Sequence, residues 1–265
     1  MRRRPSTRGS HPDAARRSEG ATCARSRSAL IPVPDRARYS GAVLALEHAT
    51  ATGSDLCGPL VAALGVDGAA VSTLGEPLGS ETVCASDERA ARLDEIQLDL
   101  GEGPCWEAIA TRRPVLEPDV QGSADTTWPL ARQAMHATGL GAVFAFPLVV
   151  AGLDLGAVDL YSRTARDISD REMADATTLS RIVARQVLRR ALLAAEGPQE
   201  DTGAWGGRYS RREVHQATGM VVAQMGIPPT DALLVLRGHA FATGRPLRDV
   251  AEDVVGRTLD FSPDR

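Results

Sequence analysis

Residues 142–161 read A-V-F-A-F-P-L-V-V-A-G-L-D-L-G-A-V-D-L-Y, and the pattern of this stretch decides the fold. Two apolar runs, 142–149 and 155–161, flank a short break containing A-G-L-D. Apolar runs of this length joined through a glycine turn predict a β-hairpin of central strands. Asp154 and Asp159 lie in or beside that hairpin, with no partner acid at a suggestive spacing.

Upstream, residues 69–74 (A-A-V-S-T-L) alternate like a strand and are followed by the Gly and Pro turn signals of 75–79. Residues 82–85 form a second strand candidate, 87–98 show helical spacing, and 113–116 form a third short strand candidate. Between them, G-E-G-P-C-W-E-A-I-A at 101–110 opens a helix. Pro104 suits its first turn, and Glu107 favours its dipole. A loop with Trp128 leads into a helical stretch ending near Ala137. Downstream, 170–195 is one long helix, with Met173, Ala176, Leu179, Ile182, Val183 and Val187 at helical period. Strands and helices mixed around an antiparallel hairpin predict an α+β domain over residues 39–196.

The rest of the chain has a different character. Residues 197–207 (G-P-Q-E-D-T-G-A-W-G-G) have the composition of a linker. Three helical segments follow, over 208–225, 231–242 and 247–258, and predict a small all-α bundle over 208–261. A bundle of roughly 50 residues is near the lower limit for independent folding, so docking or dimerisation is expected to support it. Residues 1–38 are rich in Arg, Ser, Pro and Gly without apolar clusters, and read as a disordered arm.

Charge follows the same divisions. The 30 basic residues of the 265 are all arginine, and the chain carries −4 overall. Residues 1–38 hold ten arginines against three acids, 39–196 twelve against 22, and 205–261 seven against six. The first domain is therefore acidic and the bundle close to neutral. Cys23, Cys57, Cys84 and Cys105 are widely spaced, without a C-x-x-C pair or a histidine at metal spacing, so neither a zinc site nor a disulfide framework is expected. The longest apolar run is about ten residues, against the roughly 20 a membrane helix needs. The Arg-rich start lacks the apolar run of a secretory signal. A cytoplasmic protein is expected.

Specific stretches carry two family resemblances. R-R-E-V-H-Q-A-T-G-M-V from Arg211, D-A-L-L-V-L-R-G-H-A-F from Asp231 and L-R-D-V-A-E-D-V-V from Leu247 resemble, in order and spacing, the ANTAR domain, a three-helix RNA-binding module of transcription antiterminators. ANTAR sequences often place lysine after the alanine of the first helix, where this chain has Thr218. G-E-G-P-C-W-E-A from Gly101, W-P-L from Trp128, A-V-F-A-F-P-L from Ala142 and L-G-A-V-D-L-Y from Leu155 resemble the GAF domain, a small-molecule sensory fold with an antiparallel sheet flanked by helices. The combination is similar to GAF–ANTAR regulators of the actinobacterial type. It implies a regulator, not an enzyme, that binds paired hairpin loops in nascent RNA and so keeps a terminator from forming.

RNA binding needs cations for phosphates and groups that pair with or stack on loop bases. The candidates are Arg211, Arg212, His215, Gln216, Thr218 and Arg237, with His239 as a further donor. Arg211, His215 and Thr218 share one face of the first bundle helix, and Arg212, Gln216 and Gly219 form the adjacent row. Arg237 also stands where an acid inside the bundle could hold it.

Cys105, Trp106, Trp128, Phe144 and Phe146 are the candidates to line a sensory pocket; the ligand is left open and no cofactor is named. Cys105, near a helix start, is also the one candidate for a reactive thiol, as in GAF-fold methionine sulfoxide reductases. No Lys-Ser/Thr follows the glycines of G-E-G-P, which excludes a phosphate-binding P-loop. The long helix 170–195 exceeds what a small sheet covers, and paired RNA loops suit two subunits, so a homodimer through this helix is expected. The other readings are a dimerisation or signalling module without RNA, and a thiol oxidoreductase using Cys105.

Overall fold

The computed structural model describes residues 36–49, 54–124, 126–196 and 211–262. All of them fall in one compact unit of the chain, Val33–Arg265. The linker 197–207 and nearly all of the arm 1–38 lie outside the described residues. Residues 36–38, expected in the arm, instead open a helix.

The hairpin is the centre of the sheet. Strand β4 (Ala142–Val150) pairs antiparallel with β5 (Leu153–Ser162), and the five strands run in the order β2-β1-β5-β4-β3. The others are β1 (Gly68–Thr73), β2 (Glu81–Ala85) and the short β3 (Val115–Glu117), and every pairing is antiparallel. Pro147 is tolerated in β4 because β3 pairs only with residues 143–145, so no neighbour on that side asks for its missing N–H. Gly156 lies where β5 crosses β1 closely; a Cβ there would stand 1.9 Å from the Ser72 carbonyl oxygen.

Period-two alternation gives the sheet two faces. One carries Ala69, Val71, Ala142, Phe144, Phe146, Leu148, Val158 and Leu160, and packs on α1 (Arg36–His48), α2 (Cys57–Leu64) and α6 (Asp170–Glu196). Helix α6 buries Ala176, Leu179, Ile182, Val183 and Val187 here. Its apolar stripe, expected to be more than the sheet could cover, is thus largely covered by the sheet with α1 and α2, and the large apolar side chains it leaves exposed are, among the described residues, Leu192 and Leu193. The other face meets α3 (Glu88–Leu100), α4 (Pro104–Thr111) and α5 (Pro129–Ala137).

Disulfides were not expected, yet folding brings the start of α2 onto β2. Cys57 and Cys84 are bonded there across 27 residues, with Cα atoms 6.2 Å apart. Neither cysteine has a motif that marks it; only the packing of α2 on the sheet edge pairs them. A cross-link closing a loop of this size removes about 3 to 4 kcal/mol of unfolded-chain entropy.

Beyond the linker, α7 (Arg212–Met225), α8 (Pro229–Thr243) and α9 (Leu247–Val255) form the three-helix bundle. Val214, Ala217 and Val221 meet Ala232, Leu236 and Ala240, and both rows meet Leu247, Val250, Ala251 and Val254. Helix α7 runs from Arg212, with Arg211 at its cap, residues 208–210 of the expected segment lie outside the described residues, and α9 stops at 255 rather than 258. Helices α7 and α8 are together long and apolar enough to cross a membrane. They are bent by 106° and turn their apolar stripes into this core. Among the described residues, no single helix is long and apolar enough to cross a membrane.

Candidate functional site

Two sites emerge, one inside the first domain and one on the bundle. The interior site lies between the sheet and α3–α4. Asp159 projects from β5 on the same face as Ala157 and Tyr161, and is buried. Gln97 of α3 donates through Nε2 to Asp159 Oδ2 at 2.8 Å, and its Oε1 accepts the Cys105 N–H at 2.8 Å. One turn back along α3, Asp94 accepts from the Ser72 hydroxyl at 2.6 Å and the Thr82 hydroxyl at 2.5 Å. Burial pushes both carboxyls up, Asp159 well above the carboxylate range with a further push from Asp94. Asp159 Oδ1 has no hydrogen-bond partner among the described residues. A buried acid left in this state costs free energy unless it keeps its proton or meets a donor.

The G-E-G-P-C-W stretch builds the corner beside this cluster. Gly101 closes α3 in the left-handed region at φ 68°, and Pro104 begins α4. Glu102 reaches across to cap α5, accepting from the backbone N–H groups of Leu130 and Ala131 at 2.6 and 2.8 Å. The Trp106 indole donates to the Gln97 carbonyl at 2.8 Å. Trp128 lies under the Arg132 guanidinium, 5.6 Å from its ring centre, and Arg132 pairs with Glu117 at 2.6 Å.

The five pocket candidates therefore do not converge. Phe144 and Phe146 are fully buried on the α6 side of the sheet, whereas Cys105, Trp106 and Trp128 lie on the other. Even-numbered positions of β4 face α6, whereas α4, which carries Cys105 and Trp106, and the start of α5, capped by Trp128, pack on the opposite face. Cys105 is fully buried, and burial with the nearby Asp159 and Asp94 carboxyls pushes its thiol well up, the opposite of what a nucleophilic thiolate requires. Cys84 is no resolving partner for it, being bonded to Cys57. The sequence reading missed Asp94, Gln97, Ser72 and Thr82. The one available signal was Asp159, an acid at an inward-facing position of an otherwise apolar strand.

On the bundle, the six RNA candidates divide into two groups. Arg212 and Gln216 are exposed on α7. Thr218 donates its hydroxyl back to the Val214 carbonyl at 2.7 Å. The remaining three are engaged by the first domain. The Arg211 guanidinium, only 7% exposed, meets Asp99 Oδ1 at 2.7 Å, and its backbone N–H donates to Glu81 Oε2 at 2.9 Å. His215 Nε2 lies 2.5 Å from Glu81 Oε1. Arg237 donates to the Leu98 carbonyl at 2.7 Å, so its partner is the end of α3 and not an acid of the bundle. His239 packs edge-on against Phe261, with ring centres 5.3 Å apart. A cleft of about 400 Å³ opens beside Arg237 between α3 and the α8–α9 corner, lined also by Arg92, Arg245, Phe241 and Leu247.

Two family models match the chain, the GAF domain over residues 42–187 and the ANTAR domain over residues 209–255. Among solved structures, the chain is similar to the GAF domain of an Acinetobacter phosphoenolpyruvate-protein phosphotransferase (11% identity, 62% of this chain and 96% of that one, TM-score 0.44). It is also similar to the GAF domain of the Coxiella burnetii phosphoenolpyruvate-protein phosphotransferase (14% identity, 60% and 98%, TM-score 0.44). A third likeness is to the type II free methionine-R-sulfoxide reductase from Thermoplasma acidophilum (19% identity, 46% and 79%, TM-score 0.36). Likenesses this loose say nothing about what the chain binds. No curated protein matches the chain.

Proposed function

Because this chain belongs to the GAF domain family and carries an ANTAR domain behind it, we propose that it is a signal-responsive regulator that binds hairpin loops in nascent RNA and promotes transcription antitermination. The observation that carries this reading is the ANTAR match over residues 209–255, which coincides with the bundle bearing Arg211, Arg212, His215, Gln216 and Arg237. Arginines supply the phosphate contacts, and Gln216 with Thr218 supplies contacts to loop bases. The GAF domain receives a small-molecule signal, for which the buried Asp94, Gln97 and Asp159 cluster is the polar centre. The protein acts in the cytoplasm as a homodimer, pairing two bundles with two loops.

Salt-dependent binding of RNA hairpins by the full chain tests this. Arg212→Ala should weaken binding to all hairpins alike and lower the salt slope by somewhat under one unit. Gln216→Ala should instead alter preference among loop sequences. Absence of binding to structured RNA at any salt would leave the bundle as a protein-interaction module.

A further inference from the structure

Three of the side chains with which the bundle would meet RNA are already engaged in this structure. Arg211, His215 and Arg237 converge on one acidic corner of the GAF domain, made of Glu81 at the start of β2, Asp99 in the last turn of α3, and the Leu98 carbonyl. That corner offers two carboxylates beside the negative end of a helix, the same electrostatics a phosphate backbone offers. The fit extends to shape. Gly101 ends α3 without a side chain, and a Cβ there would come 2.9 Å from the Arg237 Nη1, so the guanidinium lies on bare backbone.

We propose that the GAF domain masks the RNA-contacting face of its own ANTAR domain, with Glu81, Asp99 and the Leu98 carbonyl occupying the positions of RNA phosphates. Docking of the two domains and binding of RNA are then mutually exclusive. This inference rests on the RNA-binding reading above and adds how that site is regulated.

The contact is built to open. Burial raises the Asp99 carboxyl even though Arg211 pulls it down. Burial also lowers Arg237, and the neighbouring Arg211 lowers it further. Two guanidinium groups side by side in a half-buried interface return desolvation and repulsion energy when they separate. Both halves of the clamp also belong to elements that build the interior cluster. Glu81 precedes Thr82, whose hydroxyl holds Asp94. Asp99 and Leu98 follow Gln97 on α3, and Gln97 holds Asp159. A ligand that rearranges Asp94, Gln97 and Asp159 therefore moves β2 and α3, and with them the groups that hold the bundle. The coupled element is physical and contiguous, two adjacent pieces of secondary structure rather than a chain of inferred contacts.

The test uses the full chain with Glu81→Gln and Asp99→Asn together, which keeps shape and removes charge. Two readouts are taken: binding to a pool of RNA hairpins with randomised loops, and hydrogen exchange of residues 211–225. Masking predicts roughly tenfold tighter RNA binding and faster exchange in α7, with circular dichroism unchanged. Faster exchange with RNA affinity equal to or below that of the unaltered protein overturns masking while leaving RNA binding itself intact. Unchanged exchange and unchanged affinity overturn it too, because the contact is then not what holds the bundle. If neither protein binds any hairpin, both the masking and the RNA reading fall.

Discussion

Leu236→Ala should unfold the carboxy-terminal bundle while leaving the GAF domain standing. Leu236 is fully buried on α8, in the cluster where α7, α8 and α9 meet. Removing a buried leucine side chain costs about 2 to 5 kcal/mol, because lost burial and the cavity left behind add. Few large side chains remain to absorb the change. Most fully buried members of that core are Ala or Val, and Leu236 and Leu247 are its fully buried leucines. A module of roughly 50 residues has about 3 to 8 kcal/mol of stability to lose. Docking through Arg211 and Arg237 adds to that total without filling the cavity. The substitution therefore consumes most of what holds the bundle. Thermal unfolding followed by far-ultraviolet circular dichroism should split into two transitions, with α7, α8 and α9 melting first. Exchange protection of β4 and β5 should persist, and RNA binding should vanish. A single cooperative transition displaced by a few degrees, with both regions losing protection together, would refute this, because it would mean the two domains share one folding unit.

Two further outcomes are expected. Asp159 keeps its proton in the folded chain at pH values where the unfolded chain has released it. The stability contributed by this group should therefore be fullest below the ordinary carboxylate value of 3.8 and be lost as pH rises through the raised one. Asp159→Asn should flatten that fall in urea titrations carried upward in pH from the ordinary carboxylate value of 3.8, and an identical pH profile would show the acid is not desolvated. Leu192→Glu with Leu193→Glu, at the exposed apolar end of α6, should convert the proposed dimer to monomer by light scattering, and a monomer mass for the unaltered protein would remove the dimer altogether.

Much of this architecture was legible because its elements carry strong local signals. The hairpin of 142–161 announces itself by two apolar runs and a turn, and α6 by a stripe that keeps helical period from Met173 to Val187. The two helices before β1 were not legible. Helix α1 has alternating small, apolar and charged residues with almost no amphipathic contrast, and its place is set by packing on α6 rather than by its own pattern. The Cys57–Cys84 bond was hidden for the same reason, since it depends on which helix covers the sheet edge. The aromatic pocket candidates failed at a subtler step. Phe144, Phe146 and Cys105 are all buried, but sequence gives burial more readily than it gives which face of a sheet a residue occupies relative to a distant helix.

The interior acids show what sequence could have yielded with one more step. In L-G-A-V-D-L-Y, the residues that alternate with Val158 and Leu160 are Ala157, Asp159 and Tyr161, so an acid inside this strand must face whatever covers the second side of the sheet. The covering helix must then present polar groups, and 87–98 was already assigned as a helix. Asp94 and Gln97 stand three apart in it and share a face, which is the arrangement found against Asp159 and Ser72. The next two residues, Leu98 and Asp99 in the last turn of α3, hold Arg237 and Arg211. The buried cluster and the clamp on the bundle thus draw on neighbouring residues of one helix. Under the masking proposal, a change in protonation or ligation at the first is transmitted to the second along this helix.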